Sequence, residues 1–293
     1  MKPDDFSLLA NLLKDQSGLV LTTDKVYLLE SRLMPVARQY GMKSLEELAQ
    51  AIRLKKDSRI VPAVVEAMTT NESLFFRDMK PFDQLKRLVL PTLMEKRQST
   101  KRIRIWSAAC SSGQEPYSIA MMLREEKATF GAWKIEMLAT DLAQNMIDRA
   151  KEGVYSQFEV QRGLPITMLV KYFKQEGDKW RADPSLRENI QFRVYNLLHD
   201  LSPLGQFDVV FCRNVLIYFD QPTKGKVLEA IAKRMAPDGV LYLGGAETVL
   251  GISDKFQPIP GERGLYGLTA AVTAAKTAAA PTTPPINSAA GGR

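Results

Sequence analysis

The sequence predicts an α/β protein in which a small all-helical domain precedes a doubly wound, mostly parallel β-sheet. Two observations support this fold class. From about residue 100 to residue 270, short apolar segments of strand character alternate with segments of helical periodicity, which is typical of a parallel sheet covered by helices on both faces. Residues 1–75 carry helical periodicity only. We therefore expect two domains, 1–75 and 100–270, joined by a linker helix over 76–99.

The helical signals of the first domain can be followed element by element. The apolar residues of the first segment lie on one helix face, and Gly18 is placed to end that helix. A second helix is predicted to run to Gly41. In the stretch SLEE, Ser44 and Glu47 have the spacing of a capping box, which predicts the start of a third helix. A fourth helix is predicted from the apolar spacing of the stretch VPAVVEAM.

The second domain is predicted to contain five core strands, at 102–109, 134–141, 190–197, 207–214 and 239–245. The closing stretch FQPIPGERGLYGL is predicted to form an antiparallel hairpin at the edge of the sheet. A small β-subdomain is expected at about 171–186, because KYFKQEGDKWRADP fits the alternation of strands and helices poorly. Residues 271–293 are rich in Ala, Thr, Pro and Gly, and this composition predicts a disordered tail.

The composition is that of an ordinary globular protein, with 45% hydrophobic and 25% charged residues among 293. The formal net charge of +7 favours a polyanionic partner, without distinguishing nucleic acid, a membrane surface and an acidic protein. Two cysteines give no basis for a disulfide framework. The N-terminus lacks the apolar core of a signal peptide, and no apolar stretch reaches the roughly 20 residues of a membrane span. A cytoplasmic protein is expected.

The segment WSAACSSGQEPYS joins the first core strand to a helix, as in α/β nucleotide sites. Its loop holds one glycine, Gly113, whereas a pyrophosphate-binding loop needs about three, and no lysine follows as in a P-loop. Glu115 lies near the start of the helix. This pattern indicates a nucleoside ligand without phosphate that carries a group attracted by a carboxylate. The alternative role of Glu115 is to stabilise the helix dipole from the first turn.

The ends of the other predicted strands extend this interpretation, because ligands of open α/β sheets bind beyond the carboxyl ends of the strands. The second strand ends at Asp141, which can accept hydrogen bonds from both ribose hydroxyls, or can cap the following helix. Asn196 and Leu197 end the third strand and suit the edge and the face of an adenine. S-adenosylmethionine (SAM), a nucleoside joined to an amino acid through a sulfonium, fits this arrangement. No metal is expected.

Five motifs resemble those of the chemotaxis receptor glutamate methyltransferases, the CheR family. They are TTNESLFFRD (69–78), WSAACSSGQEPYSIA (106–120), ATD (139–141), YNLL (195–198) and FCRNVLIYFD (211–220). The resemblance covers about residues 5 to 270. It implies a class I SAM-dependent methyltransferase domain that carries a small β-subdomain and follows a helical N-terminal domain.

The resemblance also implies roles for individual residues. The implied SAM contacts are Asn71, Ser73, Arg77, Glu115, Asp141, Asn196, Leu197, Arg213 and Asn214, and Tyr218 is implied to lie near the transferred methyl group. Ser73 stands where the family often has Thr, which keeps the hydroxyl. Arg77 suits the methionine carboxylate, because a guanidinium forms two parallel hydrogen bonds. A surface ion pair for Arg77 and core packing for Tyr218 are the alternatives.

The implied reaction transfers the methyl group of SAM to glutamate side chains of membrane chemoreceptors, leaving S-adenosylhomocysteine and forming methyl esters for chemotactic adaptation. A glutamate with a pKa near its ordinary value of about 4.3 is ionised at pH 7, so no general base is needed. The implied partner is the cytoplasmic helical domain of the receptors. The protein is expected to act as a monomer that binds no nucleic acid and does not insert into a membrane. Arg53, Lys55, Lys56 and Arg59 correspond to a basic helix of the family that is thought to touch the receptor; a solvated charged surface is the alternative.

Two other functions stay open from the sequence. The basic charge is compatible with an RNA or DNA methyltransferase, although the Asn/Asp-Pro-Pro-aromatic signature of amino-group methylation is absent. A non-enzymatic SAM-binding adapter on the same fold is the second alternative.

Cys110 and Cys212 are predicted to lie at neighbouring strand ends close to SAM, either as small packing residues or as an oxidation-sensitive pair.

Overall fold

The computed structural model describes residues 1–272; the predicted tail lies almost entirely outside this range. The N-terminal part is a bundle of four helices: α1 (Pro3–Ser17), α2 (Val26–Gln39), α3 (Leu45–Arg53) and α4 (Ile60–Met68). Gly18 ends α1 with a φ of 76°, in the left-handed region that favours glycine. The Ser44 hydroxyl caps α3, but Glu47 accepts from the backbone N–H of Lys43 instead of Ser44, so the predicted capping box is half formed.

A nearly continuous helical segment connects this bundle to the sheet. It consists of α5 (Lys80–Gln84), a π-helical turn (Leu85–Val89) and α6 (Leu90–Lys96). Its apolar side packs on the sheet, and Leu85 and Leu90 are fully buried there. The loop before it, around Arg77, is therefore held close to the edge of the sheet.

The main sheet has seven strands in the order β6-β2-β1-β7-β8-β10-β9. They are β1 (Arg102–Ala108), β2 (Lys134–Asp141), β6 (Ile190–Val194), β7 (Phe207–Cys212), β8 (Met235–Leu243), β9 (Phe256–Pro258) and β10 (Leu265–Leu268). The first five in spatial order are parallel, whereas β10 and β9 add an antiparallel hairpin at the edge. This arrangement confirms the predicted fold class.

Helices cover both faces of the sheet. They are α7 (Gln114–Glu125), α8 (Lys127–Phe130), α9 (Gln144–Glu152) and α12 (Gln221–Ala232), whereas α10 (Gln157–Gln161) and α11 (Ile166–Tyr172) pack against a second, smaller sheet. Successive side chains of β1 point to opposite faces, so Ile105 belongs to one core and Trp106 to the other. Because β1 lies between β2 and β7, the strand order reverses there and opens a crevice at the carboxyl ends of these strands.

A second sheet of three strands contains the predicted β-subdomain hairpin, β4 (Phe173–Glu176) and β5 (Lys179–Ala182). Its third strand, β3 (Val154–Ser156), was not predicted, because three residues are too few to show an alternating pattern. The third and fourth core strands end earlier than predicted, at Val194 and Cys212. In the part of the chain described here, no helix has the length and apolarity to cross a membrane.

Candidate active site

A cleft opens at the carboxyl ends of β1, β2 and β7, where the strand order reverses. The cavity and its open mouth hold about 1030 Å³. All ten residues for which a SAM or catalytic role was expected line it: Asn71, Ser73, Arg77, Glu115, Asp141, Asn196, Leu197, Arg213, Asn214 and Tyr218. Five separate segments of the chain therefore meet at one site.

Three backbone amides of the loop after β1 donate hydrogen bonds within the protein. The N–H of Cys110 donates to the Thr140 carbonyl at 2.9 Å, and the N–H of Ser111 donates to Asp141 Oδ2 at 2.8 Å. The N–H of Gly113 donates to the Cys110 carbonyl at 3.0 Å. Amides engaged in this way do not form a phosphate-binding loop, in agreement with a ligand that lacks phosphate.

Asp141 holds this loop and also faces the cavity. Its Oδ2 accepts from Ser111, and its Oδ1 accepts from the N–H of Ala143 at 3.0 Å, before α9. Burial raises the pKa of Asp141, although these backbone N–H groups oppose the shift. Both expected roles are thus compatible, because each carboxylate oxygen keeps a lone pair for a ribose hydroxyl.

Two arginines and one glutamate form the charged end of the cavity. Arg213 is buried, with Nη1 at 2.9 Å from Glu115 Oε2 and Nη2 at 2.8 Å from Asp78 Oδ2. Glu115 also accepts from the Ser107 hydroxyl at 2.8 Å. Arg77 makes one long hydrogen bond, 3.4 Å from its Nη1 to the Glu72 carbonyl. The alternative role of Arg77, a surface ion pair, is not formed with the adjacent Asp78, which pairs with Arg213.

This charged end fits the amino-acid half of SAM. The Nε of Arg213 is buried without a hydrogen-bond partner among the described residues, which is costly unless a ligand satisfies it. A carboxylate accepts hydrogen bonds from guanidinium groups, and an ammonium donates to a carboxylate such as Glu115. Arg77 and Arg213 would hold the methionine carboxylate, Glu115 its ammonium group and Asp141 the ribose. Bound there, SAM supplies a methyl group on a positively charged sulfur.

Asn196 differs from the expectation that its side chain would face an adenine edge. Its Nδ2 donates to the Gln16 carbonyl at 2.7 Å, and its Oδ1 accepts from the N–H of Leu198 at 2.9 Å. The amide therefore fixes the end of α1 to the segment after β6. The apolar residues Leu197 and Leu142 also line the cavity.

The end of α1 closes one side of the cavity, and no sequence signal indicated this. Ser17 and Leu19 line the cavity. A Cβ atom added to Gly18 would lie 2.7 Å from the ring of Phe219, so only glycine allows this close approach. Contacts of this kind join segments about 200 residues apart in the chain, and their partners leave no local pattern.

Tyr218 ends a short 3₁₀ turn (Leu216–Tyr218) beyond β7 and lines the cavity while it packs partly on the apolar core. Its carbonyl accepts from the N–H of Val20 at 3.1 Å. The position of Tyr218 near Arg213 and Asn214 is compatible with a role near the reacting groups. Core packing, the alternative role, involves only part of the Tyr218 side chain.

The two cysteines are not equivalent. Cys110 lines the cavity, whereas Cys212 is fully buried beneath it and is absent from the lining. Burial raises the pKa of both thiols well above the usual range, so both are poor nucleophiles. Both cysteines lie at the neighbouring ends of β1 and β7, as expected, but only Cys110 lines the cavity. Across residues 1–272, no group of three or more His, Cys, Asp or Glu side chains is arranged to hold a metal ion.

The four basic residues expected to dock a receptor are not on one helix. Arg53 ends α3, while Lys55, Lys56 and Arg59 lie in the connection to α4. Arg53 forms an ion pair with Asp5 at 2.8 Å, and Arg59 pairs with Asp57 at 2.7 Å, which lowers the pKa of Asp57 to about 2. Lys55 and Lys56 are exposed. The net positive charge that these four residues present to a partner is therefore smaller than the sequence suggested.

Comparison with known proteins identifies the family. The model of the CheR methyltransferase SAM binding domain matches residues 71–265, and that of the CheR methyltransferase all-alpha domain matches residues 4–69. Chemotaxis protein methyltransferase 1 of Pseudomonas aeruginosa is 44% identical over 259 residues, covering 87% of this chain and 94% of the relative. Chemotaxis protein methyltransferase Cher2 of Pseudomonas putida is 42% identical with the same coverage. The chemotaxis protein methyltransferase of Vibrio anguillarum is 38% identical, covering 87% and 92%. The chain therefore belongs to the CheR methyltransferase family and is a SAM-dependent methyltransferase.

Proposed function

We propose that this enzyme methylates glutamate side chains in the cytoplasmic helical domain of chemoreceptors and acts as a cytoplasmic monomer in chemotactic adaptation. The names of the relatives support a role in chemotaxis. The motifs that carry the resemblance to receptor glutamate methyltransferases line a single cavity, which supports the same reaction.

The observation that carries the proposal is the lack of a free general base among the lining residues. Among the lining carboxylates, Asp141 and Glu115 are committed to backbone and side-chain donors, and Glu72 is ion-paired with Arg162 at 2.8 Å. Burial keeps the Cys110 thiol protonated. An amine acceptor would have to lose a proton before methylation, whereas a glutamate carboxylate is already ionised at pH 7. The cavity is therefore suited to a carboxylate nucleophile.

The residues of the chain act by binding and alignment. A carboxylate oxygen of the receptor glutamate forms the new C–O bond as the S–CH₃ bond breaks, so no proton changes hands. Arg77, Arg213, Glu115 and Asp141 fix the donor at both ends, which places the methyl group for in-line attack. The Tyr218 hydroxyl donates a hydrogen bond to the incoming carboxylate and orients it.

Receptor binding is assigned to the exposed basic connection between α3 and α4. Lys55 and Lys56 attract the acidic helix that carries the target glutamates, and Arg53 and Arg59 shape this connection through their ion pairs. Interactions between exposed charges are weak and screened by salt, so this surface contributes to the encounter rate more than to affinity.

The test is a transfer assay with radiolabelled SAM and purified cytoplasmic fragments of chemoreceptors. We expect label on the receptor fragment that is released by mild alkali, as from a methyl ester, and that is lost when the target glutamates are replaced by alanine. Alkali-stable label on RNA, offered in a parallel reaction, would support the nucleic-acid alternative and contradict the proposal.

A variant separates binding from chemistry in the same assay. Tyr218→Phe removes only the hydroxyl, so we expect the affinity for SAM to be unchanged while kcat falls about 10–150-fold, the scale of a lost hydrogen bond to a charged group. Unchanged kcat in a folded Tyr218→Phe enzyme would remove the hydroxyl from the mechanism.

A further inference from the structure

The backbone that follows β7 leaves the sheet in a conformation that needs external support. Asn214 has a φ of 59°, in the left-handed region. The N–H groups of Asn214, Val215 and Ile217 follow the end of the strand and find no backbone acceptor in the neighbouring strands. A turn of this kind keeps its shape only if its amides are satisfied elsewhere.

The carboxylate of Glu247, beyond the end of β8, satisfies these amides. Its Oε2 accepts from the N–H of Asn214 at 2.8 Å and from that of Gly244 at 2.7 Å. Its Oε1 accepts from the N–H of Val215 at 2.9 Å and from that of Ile217 at 3.3 Å. A carboxylate has about four acceptor sites, and here the backbone occupies all of them.

Gly244 allows the carboxylate to approach. A Cβ atom added at this position would lie 2.8 Å from Glu247 Oε2 and 2.7 Å from Asn214 Nδ2. A side chain at 244 would therefore push the carboxylate away from the turn. The same contact can thus be disturbed from two independent positions.

The supported turn carries three residues of the active site. Arg213, Asn214 and Tyr218 line the cavity, whereas Glu247 is not among the lining residues. We propose that Glu247 is a positioning residue: it holds the turn 213–218 in one conformation and thereby places Tyr218 against the reacting carboxylate. This inference deepens the proposed function and rests on it.

The position of Arg213 should depend less on Glu247. Its guanidinium is anchored separately by Glu115, by Asp78 and by the Arg77 carbonyl. Loss of the Glu247 contacts should therefore displace Tyr218 and Asn214 more than Arg213, so most of the groups that would hold SAM keep their places. The consequence is a selective effect on kcat.

The test compares Glu247→Gln with the parent enzyme. The amide has the shape of the carboxylate but turns an NH₂ group toward two of the backbone N–H donors. We expect kcat toward the receptor fragment to fall about 100-fold, the scale of a displacement of about 1 Å, while the Kd for SAM changes less than about fivefold. Gly244→Ala should also lower kcat, but its methyl group would meet Asn214 Nδ2 as well, so a loss of SAM affinity is expected in that variant.

Glu262→Gln is the matched control. That carboxylate also joins two parts of the chain, by accepting from Gln84 and Arg87, but it lies outside the cavity lining. We expect its kcat to stay within about twofold of the parent even if the Tm falls. Parallel losses of kcat and SAM affinity in Glu247→Gln, like those of a generally loosened protein, would overturn the positioning role.

Amide hydrogen exchange provides a readout that needs no substrate. In Glu247→Gln the N–H groups of residues 214, 215 and 217 should exchange at least about tenfold faster, while those of β1 keep their rates. Unchanged exchange, or faster exchange with an unchanged kcat, would overturn the inference. A parent enzyme that labels no receptor fragment would contradict the proposed function alone, and the exchange rates would still decide whether Glu247 orders the turn.

Discussion

The cavity and the basic connection between α3 and α4 were both predicted from sequence, and they differ in how well the residues come together. Ten residues from distant segments line one cavity. Of four neighbouring basic residues, in contrast, Arg53 and Arg59 are engaged within their own domain. Parallel strands bring their carboxyl ends to one edge, so the fold itself gathers the first group. No comparable constraint keeps basic residues that are adjacent in sequence on one surface or free of ion pairs within the protein.

The largest expected effect comes from Arg213→Met, which breaks the charged end of the cavity. The variant leaves the Glu115 carboxylate partly buried without its cation, and removal of one partner of a buried pair costs about 3–5 kcal/mol. We expect a loss of that size in the free energy of unfolding, measured by urea denaturation, and loss of SAM binding.

A double variant tests the cause of that loss. Arg213→Met combined with Glu115→Gln removes both charges, so part of the stability should return while SAM binding stays absent. Equal destabilisation of the single and the double variant would mean that the ion pair is not the source of the effect.

Arg77→Ala is expected to act on ligand binding and not on the fold. In the described structure its side chain makes one long hydrogen bond, so little stability depends on it. SAM affinity should fall by about 1.5–3 kcal/mol, the scale of a hydrogen bond to a charged group, as measured by calorimetry. Arg162→Ala, which removes a neighbouring arginine that pairs with Glu72, is the control. Equal affinities of the Arg77 variant and the parent would place Arg77 outside the site.

A smaller effect is expected at the contact between α1 and the site. The Lys14 ammonium lies 2.8 Å from Asp220, and this hydrogen-bonded partner lowers the pKa of the Asp220 carboxyl. The contribution to stability is therefore present above the unfolded pKa of about 3.9 and is lost as the pH falls through the lowered folded pKa. Asp220→Asn keeps a capping side chain, so its Tm should lie below that of the parent at pH 7 and approach it below pH 4. A gap in Tm that stays constant over this range would exclude the charge as its cause.

The smallest effect is expected on the basic connection. Lys55→Glu with Lys56→Glu should lower the rate of receptor methylation by less than about tenfold at low ionic strength, because exposed charges mainly steer the encounter, and added salt should abolish the difference. SAM affinity should not change. The control Lys127→Glu with Lys226→Glu has the same charge change at two other exposed positions, on α8 and α12. If the Lys55/Lys56 variant matches this control at low salt, the connection does not dock the receptor.

Charge reversal of Arg53 or Arg59 is a poorer test, because it would also break an ion pair within the domain.

Local periodicity predicted the parallel sheet and its edge hairpin, and the predicted strand ends indicated Glu115, Asp141, Asn196 and Leu197. The resemblance to the CheR family supplied the other expected site residues: Asn71, Ser73, Arg77, Arg213, Asn214 and Tyr218. The sequence did not predict the bond between Asn196 and Gln16, whose partners are 180 positions apart, or the contacts of Glu247 with the turn after β7. The three-residue strand β3 was missed for a related reason. Its pairing with β5 defines it, and no periodic pattern does.

The closure of the cavity by the end of α1 also bears on how the protein unfolds. Ligand bound there touches the helical bundle and the sheet together, since Ser17 and Leu19 line the same cavity as Asp141 and Arg213. SAM at about 100 times its Kd would stabilise the native state by about 2.7 kcal/mol, and both parts would share this gain. Heating the free enzyme can therefore melt the helical bundle ahead of the sheet, whereas the saturated enzyme should melt in a single cooperative transition.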